Sequence, residues 1–189
     1  FVATDAGAIL PATTAGVVTA TASVLSLTNG RFQYINITTA ANSYLVAVNG
    51  ADKARYYIGT TWAKDGDGAP YDVTVLDTAT AVHVNMHKGR IWYVKNNSLT
   101  AYYMPTGAIG GAATAFDLTS IAQFGGYLMA MGTWTIDAGY GVDDLAVWIT
   151  SEGEVIVYRG TDPASAATWA LVGIWRIGSP VGRRCMIKY

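Results

Sequence analysis

The chain is short of the residues on which most protein chemistry depends. Its 189 residues include one cysteine, Cys185, which excludes an internal disulfide framework and leaves the redox compartment open. There are two histidines, only 13% charged residues, and a formal net charge of −1. That balance argues against the clustered basic surface with which proteins grip nucleic acid. Arg183-Arg184 is the nearest approach, and two arginines are not a patch. No apolar run nears the ~20 residues that span a membrane. The first twenty residues lack a basic n-region, and Thr4, Asp5, Thr13 and Thr14 interrupt any apolar stretch, so they do not read as a signal peptide. A chain that begins with Phe1 and stops mid-pattern at Met186-Ile-Lys-Tyr189 reads as a segment of something longer. Helix signals are equally scarce, and only residues 119–124 suit a single turn.

What the chain does have is apolar residues (51%), 21 glycines, 6 tryptophans and 12 tyrosines, a composition suited to short, well-buried strands. The clearest unit is Leu145-Ala-Val-Trp-Ile-Thr-Ser-Glu-Gly-Glu-Val-Ile-Val-Tyr-Arg-Gly160. Two runs rich in β-branched and aromatic residues flank Ser151-Glu-Gly153, where glycine supplies the positive φ of a tight hairpin. Glu152 and Glu154 read as the solvated lip of that turn.

Looser copies recur. Residues 1–4 and 8–11 flank Asp5-Ala-Gly7. Residues 24–28 and 31–38 flank Asn29-Gly30, the strongest short hairpin signal. Residues 44–48 and 54–58 flank Asn49-Gly-Ala-Asp52, and 71–77 with 81–86 form another alternating pair. Residues 90–95 and 99–104 flank Asn96-Asn97. A glycine-rich connector, Gly107-Ala-Ile-Gly-Gly-Ala112, precedes strands at 115–118 and 125–131, and a long apolar strand at 168–177 leads to a last short one. Gly7, Gly50, Asn97 and Gly153 mark turns spaced 43, 47 and 56 residues apart. Roughly sixteen strands at a period of about 40–50 residues predict an all-β, β-propeller-like fold of about four blades, part of a larger propeller. The chain then reads as one domain, 1–189. A β-sandwich is the competing reading, and the repeat length favours the propeller. A second echo agrees: Tyr57-Ile-Gly-Thr-Thr-Trp62 and Tyr158-Arg-Gly-Thr-Asp…Thr168-Trp169 each place an aromatic, Gly-Thr, then Thr-Trp, and such aromatics fill the space between sheets.

Candidate chemistry is thin. His83 and His87 are four residues apart, a spacing that serves a metal on a helix, but they lie in and just after a strand pattern and read as structural or solvated. Asp65-Gly-Asp67-Gly, in the exposed loop 63–70, hints at a calcium loop, yet no bidentate glutamate closes it, and a turn with solvated acids is the simpler reading. Asp137, Asp143 and Asp144 surround Gly139 and Gly141 and offer a glycosidase-like carboxylate set that reads better as loop acids. Asp162-Pro-Ala-Ser-Ala-Ala-Thr-Trp169 has the ends of a sialidase Asp-box with the wrong spacing and no central glycine, and reads as structural. Cys185 has no histidine nearby and reads as an inert buried thiol. Asn36-Ile-Thr38 and Asn96-Asn-Ser98 fit the glycosylation pattern, which matters only in a eukaryotic secretory setting. The connector at 107–112 lacks the strand-to-helix context and the Lys-Ser/Thr of a phosphate loop. The residues therefore assign no catalytic, cofactor-binding or metal position, and no cofactor.

Longer phrases are more specific. Ala101-Tyr-Tyr-Met-Pro-Thr-Gly-Ala-Ile-Gly-Gly-Ala-Ala-Thr-Ala-Phe-Asp-Leu118, Gly125-Gly-Tyr-Leu128, Trp134-Thr-Ile-Asp-Ala-Gly-Tyr-Gly-Val-Asp-Asp144, Ser151-Glu-Gly-Glu-Val-Ile-Val-Tyr-Arg-Gly-Thr-Asp-Pro163 and Leu171-Val-Gly-Ile-Trp-Arg-Ile-Gly-Ser-Pro-Val-Gly182 resemble bacteriophage tail proteins. With residues 44–62, the resemblance covers most of 44–182 and is to the propeller-bearing tail nozzle (tail tubular) proteins of short-tailed phages. It implies a non-enzymatic structural protein of the virion tail, forming a hexameric homo-oligomeric ring below the portal and adaptor. Adaptor and tail-fibre proteins are its implied neighbours, and phage DNA passes through without a specific grip. Near-neutral charge suits such a conduit, because each phosphate contact would add affinity and slow passage. The alternative is a receptor- or glycan-binding propeller at the tail tip, motivated by the Trp/Tyr content and the acidic loop at 137–144.

Overall fold

A computed structural model describes residues 1–137 and 142–187, and it is all-β. The N-terminal strands β1 (Val2–Thr4) and β2 (Ala8–Leu10) pair as a short hairpin. Strands β3 (Gln33–Thr38), β4 (Ser43–Val48), β5 (Arg55–Tyr57) and β6 (Trp62–Lys64) form the first four-stranded antiparallel sheet, each pairing with the next in sequence. After β7 (Val73–Thr74), the strands β8 (Ala81–His87), β9 (Arg90–Lys95) and β10 (Thr100–Tyr103) begin the second. β11 (Gly111–Ala112) pairs with β7, and β12 (Thr114–Asp117) completes the second sheet against β10. β13 (Leu128–Asp137), β14 (Val142–Thr150), β15 (Glu154–Gly160) and β16 (Trp169–Arg176) form the third. None of these sheets closes into a barrel, since each ends in two unpaired edges.

The turn marks fall in a common place. Gly50 (φ 72°), Asn97 (φ 50°) and Gly153 (φ 80°) each sit between the second and third strands of a four-stranded sheet, in the left-handed conformation that the hairpin demands. The expected hairpin around Gly153 is thus formed, and the 47- and 56-residue intervals are a true structural period. Gly7 is different, because its hairpin stops at two strands. Sixteen strands are present among the described residues, grouped as three four-stranded sheets and two small pairs rather than as four equal sets.

Other expectations are corrected. Asn29-Gly30 makes no hairpin: Val24 bridges instead to Ile9, and Gly30 runs so close to the N-terminal hairpin that a Cβ there would lie 2.7 Å from the Thr4 backbone. Close approach, not turn geometry, requires that glycine. The strand expected at 71–77 shortens to β7 and pairs in parallel with β11, because Val75 turns to φ 73° and breaks the extension. The residues after Ile177 form no final strand among those described. At 119–121 the chain makes the single turn expected, closed by the Ile121 and Ala122 N–H groups on the Leu118 carbonyl.

The sheets pack face to face. β8 lies beside both β3 and β13, so the first strands of the three sheets are neighbours. The middle sheet is buried on both faces, which explains the unbroken apolar run Ile91-Trp-Tyr-Val94. Ile91 and Tyr93 pack toward Val46, Val48 and Tyr56 of the first sheet. Trp92 and Val94, on the opposite face by strand alternation, pack with Met131, Trp148 and Trp169 of the third. Trp92 stacks on Trp169 at 5.9 Å between ring centroids, and Tyr158 stacks on the same Trp169 at 5.6 Å. The second aromatic echo ends elsewhere: Tyr57 and Trp62 lie 5.2 Å apart and meet Phe1, under the N-terminal hairpin.

Candidate functional site

The histidines expected to be structural or solvated are structural. His83 is buried in β8, and its Nδ1 accepts the Met131 backbone N–H at 3.5 Å. Burial, aided by the nearby Arg183 charge, pushes its pKa down to about 4, so it stays neutral at physiological pH. His87 belongs to β8 rather than to a following turn. Its Nε2 lies 3.3 Å from the Gly160 carbonyl, its ring meets the edge of Trp169, and burial likewise lowers its pKa. Two residues of a strand four apart share a face, and both histidines help to seat the third sheet on the second.

Two carboxylates taken for solvated acids are buried. Asp65 is 5% exposed: it accepts the Val73 N–H at 2.9 Å and the Thr78 hydroxyl at 2.7 Å, and it faces Lys53 Nζ at 3.3 Å. It joins the end of the first sheet to the segment that enters the second. Asp67 is the exposed member of that pair and caps the Lys64 N–H. Glu154 is fully buried, and its two oxygens accept the N–H groups of Gln123 (2.7 Å) and Phe124 (3.0 Å). Only Glu152 remains on the solvated lip. Alternation in the flanking strands gave no signal for either buried acid, since each is fixed by segments distant in sequence.

Asp143 and Asp144, the acids of this loop whose side chains are described, do not form a carboxylate pair with each other. Gly139 and Gly141 lie outside the described residues, as does the side chain of Asp137. Asp143 and Asp144 are consecutive in β14 and so point to opposite faces. Asp143 pairs with Lys88 at 3.0 Å, and Asp144 accepts the Thr135 hydroxyl at 2.6 Å. Asp162, the Asp-box remnant, is structural as expected, bridging to Arg90 at 3.3 Å. Cys185 is half-buried, and burial raises its thiol pKa. Among the described residues, no group of three or more His, Cys, Asp or Glu is placed to hold a metal ion. No helix among the described residues is long and apolar enough to cross a membrane.

Several concave surfaces lie among the described residues, and two are of similar size. One, of about 670 Å³, lies against the outer side of the third sheet and includes Asn85, Trp134, Val147, Met186 and Ile187. Trp134 is 56% exposed there. The other, of about 680 Å³, opens at the end of the molecule where β3 and β8 begin and where the Gly50 and Asn97 turns lie. Asp5, Asn29, Arg31, Asn96, Arg183 and Arg184 contribute to its wall. The segment after β16 brings the last two arginines back across the molecule. Arg183 donates to the Leu128 carbonyl (3.2 Å) and to Asn96 Oδ1 (2.6 Å), with its guanidinium over the Tyr127 ring, and Arg184 donates to the Phe32 carbonyl at 3.2 Å. Sequence spacing dismissed Arg183-Arg184 as too few for a patch. The fold adds Arg31, from 152 residues earlier, to the same wall.

No family model matches this chain, and neither a curated protein nor a solved structure matches it.

Proposed function

We propose that this chain is a propeller-like, non-enzymatic structural component of a bacteriophage tail, of the nozzle type, assembling into a ring through which the genome leaves. The observation that carries the architectural part is the relationship of the three sheets. Each is a four-stranded meander, and β8 lies between β3 and β13, as consecutive blades place their first strands around an axis. The tail assignment rests on the residue phrases within 44–182. Scaffold use is supported by where the polar side chains go: Asp65, Glu154, His83 and His87 all join one segment of the fold to another. The ring, hexameric by the resemblance, places copies of this chain beside adaptor and fibre proteins. Gold-labelled antibody on intact virions is expected to decorate the tail, and label confined to the capsid or absent from particles overturns the reading.

One observation favours the alternative of a glycan-binding surface. Trp134 is half-exposed at the edge of a cavity that also holds Asn85, an arrangement on which a sugar ring stacks. A glycan array probed with the intact chain decides it: signal that disappears in Trp134→Ala supports this reading, and a blank array rejects it.

A further inference from the structure

The four ion pairs among the described residues use Lys53, Lys88 and Arg90 as cations. The arginines of the polar cleft are in none of them. Arg183 is half-buried, yet its partners are a carbonyl, an amide oxygen and an aromatic face, all neutral. Desolvation draws its pKa below the usual arginine value, the mark of a cation held out of water without an anion. Arg184 spends one nitrogen on a carbonyl, and the exposed Arg31 guanidinium has no partner among the described residues. A charge partly removed from water and left unpaired is costly, and an oxyanion supplied from outside relieves that cost through charge-assisted hydrogen bonds.

Counter-charge from the described residues does not do this. Asp5 is the acidic residue of the cleft wall, and its Oδ1 is turned to the Gly30 N–H at 3.4 Å rather than to a guanidinium. Three guanidinium groups against one carboxylate leave two positive charges, the charge of a phosphate dianion. The side-chain amides of Asn29 and Asn96 use their oxygens on Arg31 N–H and Arg183, which leaves their NH₂ groups as additional donors on the same wall. Guanidinium forks and amide donors together suit an oxyanion rather than an apolar guest, and two net positive charges favour a dianion over a singly charged carboxylate. The cavity, at about 680 Å³, has room for a phosphate carried on a larger ligand as well as for the free ion.

We propose that this cleft is a phosphate-binding site, with Arg31 and Arg184 gripping the anion and Arg183 held behind them as a fixed positive charge. The inference does not depend on a tail location. Its test is a titration of inorganic phosphate into the intact chain, followed by NMR of the arginine Nε–Hε groups at constant ionic strength, with acetate titrated in parallel. The signals of Arg31, Arg183 and Arg184 are expected to shift along one saturating curve with phosphate, and acetate is expected to bind at least tenfold more weakly. Arg31→Gln and Arg184→Gln are each expected to weaken phosphate binding about tenfold, the effect of one charge-assisted hydrogen bond. Both side chains are exposed, so the variants keep the fold, which far-UV circular dichroism checks. Lys64→Gln, remote from the cleft, is expected to titrate as the parent. Shifts that never saturate, that spread over all the arginines, or that persist unchanged in Arg31→Gln overturn the proposal, and acetate binding as tightly as phosphate overturns the assignment to phosphate. A nucleoside monophosphate competing more tightly than inorganic phosphate identifies a nucleotide source, and equal binding identifies a site for free phosphate.

Discussion

The Glu154 carboxylate accepts the Gln123 backbone N–H at 2.7 Å across 31 residues of sequence, from a position with no solvent exposure. Its second oxygen takes the N–H of Phe124, so one side chain closes the turn that leads into the third sheet. Glu154→Ala leaves both donors without a partner and is expected to cost about 3 kcal/mol, read from the urea midpoint at unchanged m-value. Glu154→Gln keeps one acceptor and is expected to cost about half of that. Equal stability of parent and alanine variant would show that water replaces the carboxylate without penalty.

Stability is expected to fall with acid through His83. Its pKa in the folded chain is depressed to about 4 by burial, against an ordinary 6.5. The unfolded chain therefore binds more protons between these values, and stability rises with pH across that window. The contribution is complete above pH 6.5 and is lost as pH falls toward 4, to a limit of about 3 kcal/mol. His87, shifted in the same direction, steepens the slope. Urea unfolding at several pH values checks this, and His83→Gln is expected to flatten the profile.

Gly153 and Gly66 both have positive φ but differ in surroundings. A Cβ on Gly153 would come within 2.5 Å of the Ile177 carbonyl oxygen, while one on Gly66 meets nothing within 4 Å. Gly153→Ala is expected to cost about 3 kcal/mol, and Gly66→Ala only the conformational strain of about 1 kcal/mol. Thermal unfolding of the two variants, side by side, measures the difference.

Trp92 is fully buried and touches Trp148, Trp169, Phe116 and Tyr103. Trp92→Ala is expected to cost about 3–5 kcal/mol and to remove most of the near-ultraviolet circular dichroism, since the ring lies at the centre of the seam between the second and third sheets. Hydrogen exchange in β13 and β14 is expected to quicken before that in β3 and β4, which face the other core.

Much of the fold is written locally. The alternation of Val-Ile-Val-Tyr in 155–158, the unbroken run 91–94, and the turns at Gly50, Asn97 and Gly153 each depend on backbone preferences or strand periodicity within a few residues. They identify the strands, the hairpins and the period. The same local reading fails where a neighbour distant in sequence intervenes. Asn29-Gly30 has the composition of a hairpin, but the Thr4 backbone occupies the space beside it, and Gly7 opens a hairpin that no further strands extend into a fourth sheet. The buried acids and the arginine cleft lie wholly on that side of the division. Glu154 becomes a clamp only when residues 123–124 arrive, and Arg31 and Arg184 share a wall only because the segment after β16 crosses to Phe32, 152 residues back in the sequence. Strand period and turn chirality are properties of neighbouring residues, so the sequence by itself determines them. Which charges leave water, and which remain without a partner, depends on contacts between distant segments, and only the tertiary structure decides it.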